Sequence, residues 1–249
     1  MEPQTADIFF PSYNNLQGGD SGYYPYSYVQ HERNQGEIII KGSKAYSFFK
    51  RGFDFLLSSL LIVLLSPLLL VLTFLVKTTS KGHVLFKDKR VGYEGKEINV
   101  LKFRTMYSDA EKHIHKYLTD EQYRQWKIER KLDNDPRITK IGRFLRKTSL
   151  DELPQLFNIF MGTLSFVGPR PVTALELKEN YTHYERRCLA KVKPGLTGYW
   201  QVYGRSDVDY KSGERQKEEL AYLPRRSFFF DLKLMFLTVP AVLKHRGAK

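Results

Sequence analysis

The chain has one cysteine, Cys188, in 249 residues. A lone thiol excludes an intramolecular disulfide framework and a cysteine-rich zinc site, as expected of a domain on the reducing side of a membrane. The N-terminal stretch lacks the apolar core of a secretory signal and begins Met1-Glu2-Pro3 instead of with a basic cluster, so no cleaved leader is expected. Acidic residues are few, 27 against 40 basic ones, and the net charge of +13 points to polyanionic partners: nucleic acid, anionic lipid or a phosphorylated small substrate. Long apolar runs are scarcer still. Residues 55–76 form an uncharged run of 22, about 33 Å of helix against roughly 30 Å of hydrocarbon.

Basic residues flank that run on both sides. Lys41, Lys44, Lys50 and Arg51 precede it, and Lys77, Lys81, Lys87, Lys89, Arg90 and Lys96 follow it, so charge favours neither orientation across a bilayer. Ser66-Pro67 sits near its middle. The proline removes the hydrogen bond to the Val63 carbonyl, and the Ser66 hydroxyl is placed to satisfy part of the freed backbone. Two arrangements fit these residues: a kinked spanning helix, or a re-entrant hairpin with arms of about 11 residues that enters and leaves by one face. Either one gives three regions. Residues 1–45, rich in Tyr, Asn, Gln, Gly and Ser, are expected to form a disordered tail, 46–78 the membrane segment, and 79–249 one α/β (α+β) domain with interfacial amphipathic helices.

Within the domain, residues 83–106 read as a strand pair with a turn through Tyr93-Glu94-Gly95-Lys96. Residues 107–132 read as one amphipathic helix with Ala110, Ile114, Tyr117 and Leu118 at helical spacing. His113 and His115, two apart, point to different faces and make a poor metal pair. Residues 138–147 set Lys140, Arg143, Arg146 and Lys147 opposite Ile141, Phe144 and Leu145, a basic face suited to anionic headgroups or phosphates. The spacing of Ser149-Leu150-Asp151-Glu152 is that of a capping box, which starts a helix ending at Gly162, although Pro154 pulls the start toward Leu153.

Both starts hold Asp151 and Glu152 at the positive end of a helix dipole, where a carboxylate is favoured ionised. Such a carboxylate can bind Mg²⁺, act as a base or attack phosphorus; plain helix capping is the blander role. Cations stand near it in sequence: Lys102 and Arg104 after the strand, and Arg170 fixed between Pro169 and Pro171 as a bidentate phosphate clamp. The Gly195 to Gly198 loop is either a plain turn or a site of close approach for a flat or phosphorylated ligand. Residues 228–243 are interrupted by Asp231, Lys233 and Pro240, which leaves a core or interfacial helix.

Several strings in one order carry a resemblance. Lys102-Phe103-Arg104-Thr105-Met106, Asp135-Pro136-Arg137-Ile138-Thr139, the stretch from Gly142 through Arg146 and Asp151-Glu152 to Gln155, Val167-Gly168-Pro169-Arg170-Pro171, and Lys193-Pro194-Gly195-Leu196-Thr197-Gly198-Tyr199-Trp200-Gln201-Val202 together resemble the bacterial sugar transferase family, the monotopic polyprenyl-phosphate phosphoglycosyl transferases, in its short form. The resemblance implies a nucleotide-sugar donor, usually a UDP-sugar, a polyprenyl phosphate acceptor such as undecaprenyl phosphate, Mg²⁺ held by Asp151 and Glu152, and a re-entrant break at Ser66-Pro67. It makes Asp151 the covalent nucleophile, Glu152 its partner, and Lys102, Arg104, Arg146, Arg170, Pro171 and Glu219 the substrate-binding set. It implies a bacterial inner membrane location with the domain on the cytoplasmic face. Glu219 stands where the family pattern has Asp before Tyr222, and Arg225-Arg226-Ser227 replaces an Asn-aromatic-Ser tract. The rivals are a basic membrane-anchored nucleic-acid binder and a non-catalytic scaffold; the carboxylate pair argues against a nucleic-acid partner, and self-association stays open.

Overall fold

A computed structural model describes residues 38–110, 112–129, 132, 134–204 and 213–243. The chain opens on two helices, α1 (Lys44–Leu64) and α2 (Ser66–Thr79), bent by 64° at Leu65. The cause is local. Pro67 lies in the first turn of α2, where its missing N–H costs nothing, and the Ser66 hydroxyl donates to the Val63 carbonyl at 2.8 Å, replacing the bond that proline removed. No single helix among the described residues is long and apolar enough to cross a membrane, but the bent pair together is. The apex side chains Val63, Leu64 and Leu70 are exposed. Replacing Pro67 by Leu restores a donor for Val63 and straightens the pair, so cysteine labels near Ser43 and Ser80, expected to react from one face only in the parent, will show some opposite-face reactivity in Pro67→Leu.

The arms are longer than the expected 11 residues because their outer ends belong to the domain. Asp54 and Ser58 of α1 are buried, and Asp54 accepts from the Phe166 N–H at 3.2 Å. Leu69, Leu72 and Val76 of α2 pack with Phe103 and Leu145 in a satellite core. The expected tail at 1–45 is likewise shorter than its composition suggested. Residues 1–37 lie outside the described ones, but the Ile38 N–H donates to the Tyr184 hydroxyl, the Lys41 N–H donates to the Leu223 carbonyl, and Ser43 caps α1.

The domain combines helices with two small sheets, an α+β arrangement. Strands β1 (Leu85–Val91) and β2 (Glu97–Phe103) pair antiparallel around the expected turn, with Leu85 opposite Phe103 and Val91 opposite Glu97. The single helix expected over residues 107–132 is absent. Met106 bridges to Ile138, and two short helices follow, α3 (Ile114–Tyr117) and α4 (Asp120–Glu129). Thr119 is the reason for the break: its hydroxyl accepts from the Gln122 N–H while the Gln122 side chain accepts from the Thr119 N–H, a Thr-x-x-Gln box that starts a new helix.

Helix α5 (Lys140–Thr148) is capped by the Thr139 hydroxyl on the Gly142 N–H and, after a turn at residues 150–152, is followed by α6 (Gln155–Met161). Gly162 closes α6 in the left-handed conformation, as expected. Strand β3 (Ser165–Val167) runs parallel to β4 (Gly195–Thr197), with α7 (Ala174–Asn180) and α8 (His183–Ala190) between them in sequence. Helices α9 (Glu214–Leu220) and α10 (Phe228–Leu243) complete the chain. The main core gathers Val100, Leu156, Ile159, Leu164, Val167, Val192, Tyr222 and Leu234, and Cys188 is a buried free thiol among them. Asp231 interrupts α10 for a structural purpose: it accepts from Lys50 at 2.6 Å, Tyr46 at 2.7 Å and Tyr222 at 2.8 Å, which locks α10 to the base of α1.

Candidate active site

Asp151 and Glu152 begin a single turn of 3₁₀ helix, residues 150–152, and not the α-helix itself, which starts at Gln155. Ser149 takes a left-handed conformation (φ 57°) that ends α5, its side chain caps nothing, and the two acids lie in a single tight turn, residues 150–152, before Pro154 leads into α6. The expected capping box therefore does not form. With it goes the expectation of a carboxylate stabilised in its ionised form. Burial, followed by the charge of Glu152, raises the Asp151 carboxyl to about 6, against the opposing pull of Lys102 and Arg146. Loss of water around the carboxyl, reinforced by the like charge of Glu152, outweighs both cations.

Three elements meet at this turn. Lys102, near the end of β2, places Nζ 3.1 Å from Glu152 Oε1. Arg146 comes from the last turn of α5 and donates through Nε to Thr105 Oγ1 at 2.9 Å; burial lowers its pKa while Asp151 and Asp135 oppose that shift. The backbone of β2 is itself fixed to α6 by Asn158, a 2 % exposed side chain that accepts from the Leu101 N–H at 2.8 Å and donates to the Asn99 carbonyl at 2.8 Å. From the membrane segment, Arg51 donates to the Ile159 and Phe160 carbonyls at 2.8 and 2.7 Å and so closes the C-terminal end of α6. The helix behind the carboxylates is thus held between the sheet and α1.

The remaining expected site residues make contacts of their own. Arg104 caps the end of α2, donating to the Ser80 and Lys81 carbonyls at 2.7 and 3.2 Å. Arg170 stands 3.6 Å from Glu176 and 5.7 Å from the Trp200 ring, and Glu176 also receives Arg90, which reaches the Pro171 carbonyl at 3.4 Å. Arg215 covers the same Trp200 ring at 4.3 Å and reaches Glu219 at 3.4 Å. Glu219, only 1 % exposed, accepts from the Tyr181 hydroxyl; burial raises its pKa, with Tyr181, Arg170 and Arg215 working against that rise. Arg170 and Arg215 therefore flank Trp200, Glu219 is a buried brace of that group, and Pro171 is held through its carbonyl by Arg90.

The glycine loop has the structural one of its two expected roles. A Cβ on Gly195 would lie 2.1 Å from the Gly168 nitrogen, and one on Gly198 would lie 2.1 Å from the Gly168 carbonyl oxygen. The close approach these glycines permit is to the backbone leading into Pro169 and Arg170, and it brings β3 against β4. Sequence reasoning missed Arg51, Asn158 and Thr105 as supports. In the sequence Arg51 carries only the signal of a basic flank, and an asparagine inside an apolar helix is the available signal for Asn158.

Among the described residues no group of three or more His, Cys, Asp and Glu side chains gathers to hold a metal. Two adjacent carboxylates fit a hard cation that takes its other oxygens from water and a substrate diphosphate, which is how Mg²⁺ is commonly held.

The family model described as bacterial sugar transferase matches residues 45–245. Over 203 residues the chain is 42 % identical to the exopolysaccharide production protein ExoY of Rhizobium meliloti, covering 80 % of this chain and 87 % of that protein. It is 40 % identical over 218 residues to the undecaprenyl-phosphate galactose phosphotransferase of Salmonella typhimurium, covering 87 % of this chain and 44 % of that protein. It is 43 % identical over 196 residues to the UDP-glucose:undecaprenyl-phosphate glucose-1-phosphate transferase of Klebsiella pneumoniae, covering 77 % and 39 %. The chain thus spans less than half of each of the last two.

Proposed function

The chain belongs to the bacterial sugar transferase family, and from that premise we propose that it moves a sugar 1-phosphate from a UDP-sugar to a polyprenyl phosphate of the undecaprenyl type, beginning an exopolysaccharide or related surface glycan. The observation that carries this reading is the half-buried Asp151 beside Glu152, faced by Lys102 and Arg146. An Asp151 oxygen bonds to the sugar-bearing phosphorus of the donor, the bond from that phosphorus to the bridging oxygen breaks, and UMP departs. An oxygen of the lipid phosphate then attacks the same phosphorus, the aspartyl phosphate bond breaks, and Asp151 is regenerated as the lipid diphosphate sugar leaves.

With a carboxyl raised to about 6, most Asp151 is still ionised at pH 7, and partial desolvation keeps it a more reactive nucleophile than a solvated aspartate. Lys102 and Arg146 supply fixed positive charge for the phosphoryl oxygens in transfer. Mg²⁺ held by Asp151 and Glu152 would neutralise the donor diphosphate. The bent helix pair, with exposed apolar side chains at its apex and basic residues on both flanks, supports a re-entrant anchor at the cytoplasmic face of the inner membrane.

The test is a screen of UDP-sugars for UMP release that depends on added undecaprenyl phosphate; no release with any sugar nucleotide would defeat the reading. Arg170→Lys serves as its local probe. A lysine keeps the charge and loses the planar fork, so turnover is expected to fall about tenfold with little change in melting temperature. Unchanged turnover removes Arg170 from substrate binding.

A further inference from the structure

Asp135 and Arg137 form an ion pair whose side chains are each 5 % exposed. Arg137 Nε lies 2.9 and 3.1 Å from the two carboxylate oxygens, its Nη2 lies 2.6 Å from Oδ2, and its backbone N–H donates to Oδ1 at 3.0 Å. A pair this deeply buried contributes little net stability, because desolvation offsets the attraction. Its placement is more informative. The Tyr107 N–H donates to the Arg137 carbonyl and the Thr139 N–H to the Thr105 carbonyl, each at 3.0 Å, so the segment carrying the pair is laid against the end of β2. Thr105 is also the residue whose hydroxyl receives Arg146. The Arg137 guanidinium is covered in turn by the Trp126 ring of α4, 5.1 Å away.

Arg146 thus binds the side chain of Thr105 while the segment that carries Asp135 and Arg137 binds its backbone, and the Asp135 carboxylate feels both guanidinium groups. Asp135 favours the charged form of Arg146, and Arg137 disfavours it. We propose that Asp135 is a positioning residue: by neutralising Arg137 inside the fold it allows Arg146 to remain tethered to Thr105 and facing Asp151, instead of being driven outward by a like charge. Trp126 completes the arrangement by holding the other face of Arg137, which ties the α3–α4 segment to the catalytic turn. The inference rests on the transfer reaction proposed above.

The experiment measures kcat and KM with UDP-glucose or UDP-galactose and undecaprenyl phosphate in a small set of variants. Asp135→Asn keeps the shape and removes the charge; kcat is expected to fall about tenfold or more with donor KM within about twofold. In an Arg146→Gln background the same change is expected to have no further effect, because there is no guanidinium left to displace. Asp135→Asn/Arg137→Gln, which buries no unpaired charge, is expected to fold and to recover kcat to within about threefold of the parent. A role confined to stability would instead lower kcat by the same factor in both backgrounds.

Three outcomes overturn the proposal: an unchanged kcat in Asp135→Asn, the full loss repeated on top of Arg146→Gln, or an inactive double variant that is folded. Should Asp135→Asn not fold, the double variant alone decides the matter. Failure of the underlying reaction scheme looks different: Asp151→Asn would then cycle at the parent rate.

Discussion

Asp151→Asn will form no covalent intermediate and will melt at a higher temperature than the parent. The parent, mixed with Mg²⁺ and a UDP-sugar in the absence of lipid acceptor, is expected to release a burst of UMP bounded by the enzyme concentration, with acceptor restoring turnover; the variant is expected to show neither. Cycling at the parent rate by the variant would exclude covalent catalysis at this residue.

The stability gain follows from linkage. The folded carboxyl, at about 6, lies above the ordinary aspartate value of 3.8, so the folded state binds more protons than the unfolded state between those two values. The contribution of this group to stability is then fully present below pH 4 and is lost as pH rises through about 6, and at neutral pH the half-buried charge costs about 1 to 2 kcal/mol after allowance for partial solvation. Asparagine removes that cost. The expected rise in melting temperature is roughly 3 to 6 °C at pH 7, shrinking toward zero near pH 4. A variant that melts lower at pH 7 would contradict desolvation as the cause of the shift.

Gly142→Ala will disrupt both the fold and the site. A Cβ at this position would lie 2.0 Å from the Thr105 carbonyl oxygen and 2.8 Å from the Thr105 Cα, all of it backbone that cannot rotate aside. Helix α5 must therefore lift off the end of β2, at an expected cost of about 3 kcal/mol or more. The same movement separates Arg146 from Thr105 and shifts Lys102 against Glu152, so turnover is expected to fall about a hundredfold even in the fraction that stays folded. Thermal melting together with turnover per folded molecule checks both parts. Parent-like values in both would mean that the contact between Gly142 and Thr105 is not rigid.

The parts of this protein that depend on neighbours within a turn or two were legible in the sequence. The Ser66-Pro67 break, the strand pair with its turn at Tyr93, the basic amphipathic α5 and the Gly162 stop all follow from a missing donor, an alternation or a cap that acts locally. The Thr119 to Gln122 box carries the same kind of local signal, which the apolar spacing across residues 107–132 masks. The chemical types at the site were legible too, since two adjacent carboxylates amid many cations already pointed to phosphate chemistry.

Tertiary structure decided what those groups experience. Whether Asp151 is held ionised or pushed up depends on how much water the surrounding elements exclude, and the elements around it come from β2, α5 and α6. Arg51 reaches α6 across 108 positions and Asn158 braces β2 across more than 50, distances over which no periodicity or capping rule operates. Likewise the sequence by itself determined that Arg104, Arg170 and Glu219 were charged residues in suggestive strings, but only the fold decided that Arg104 closes α2, that Arg170 stands with Glu176 and Trp200, and that Glu219 is buried behind them. Desolvation and ion pairing act through space, and the chain order that local rules read does not contain those distances.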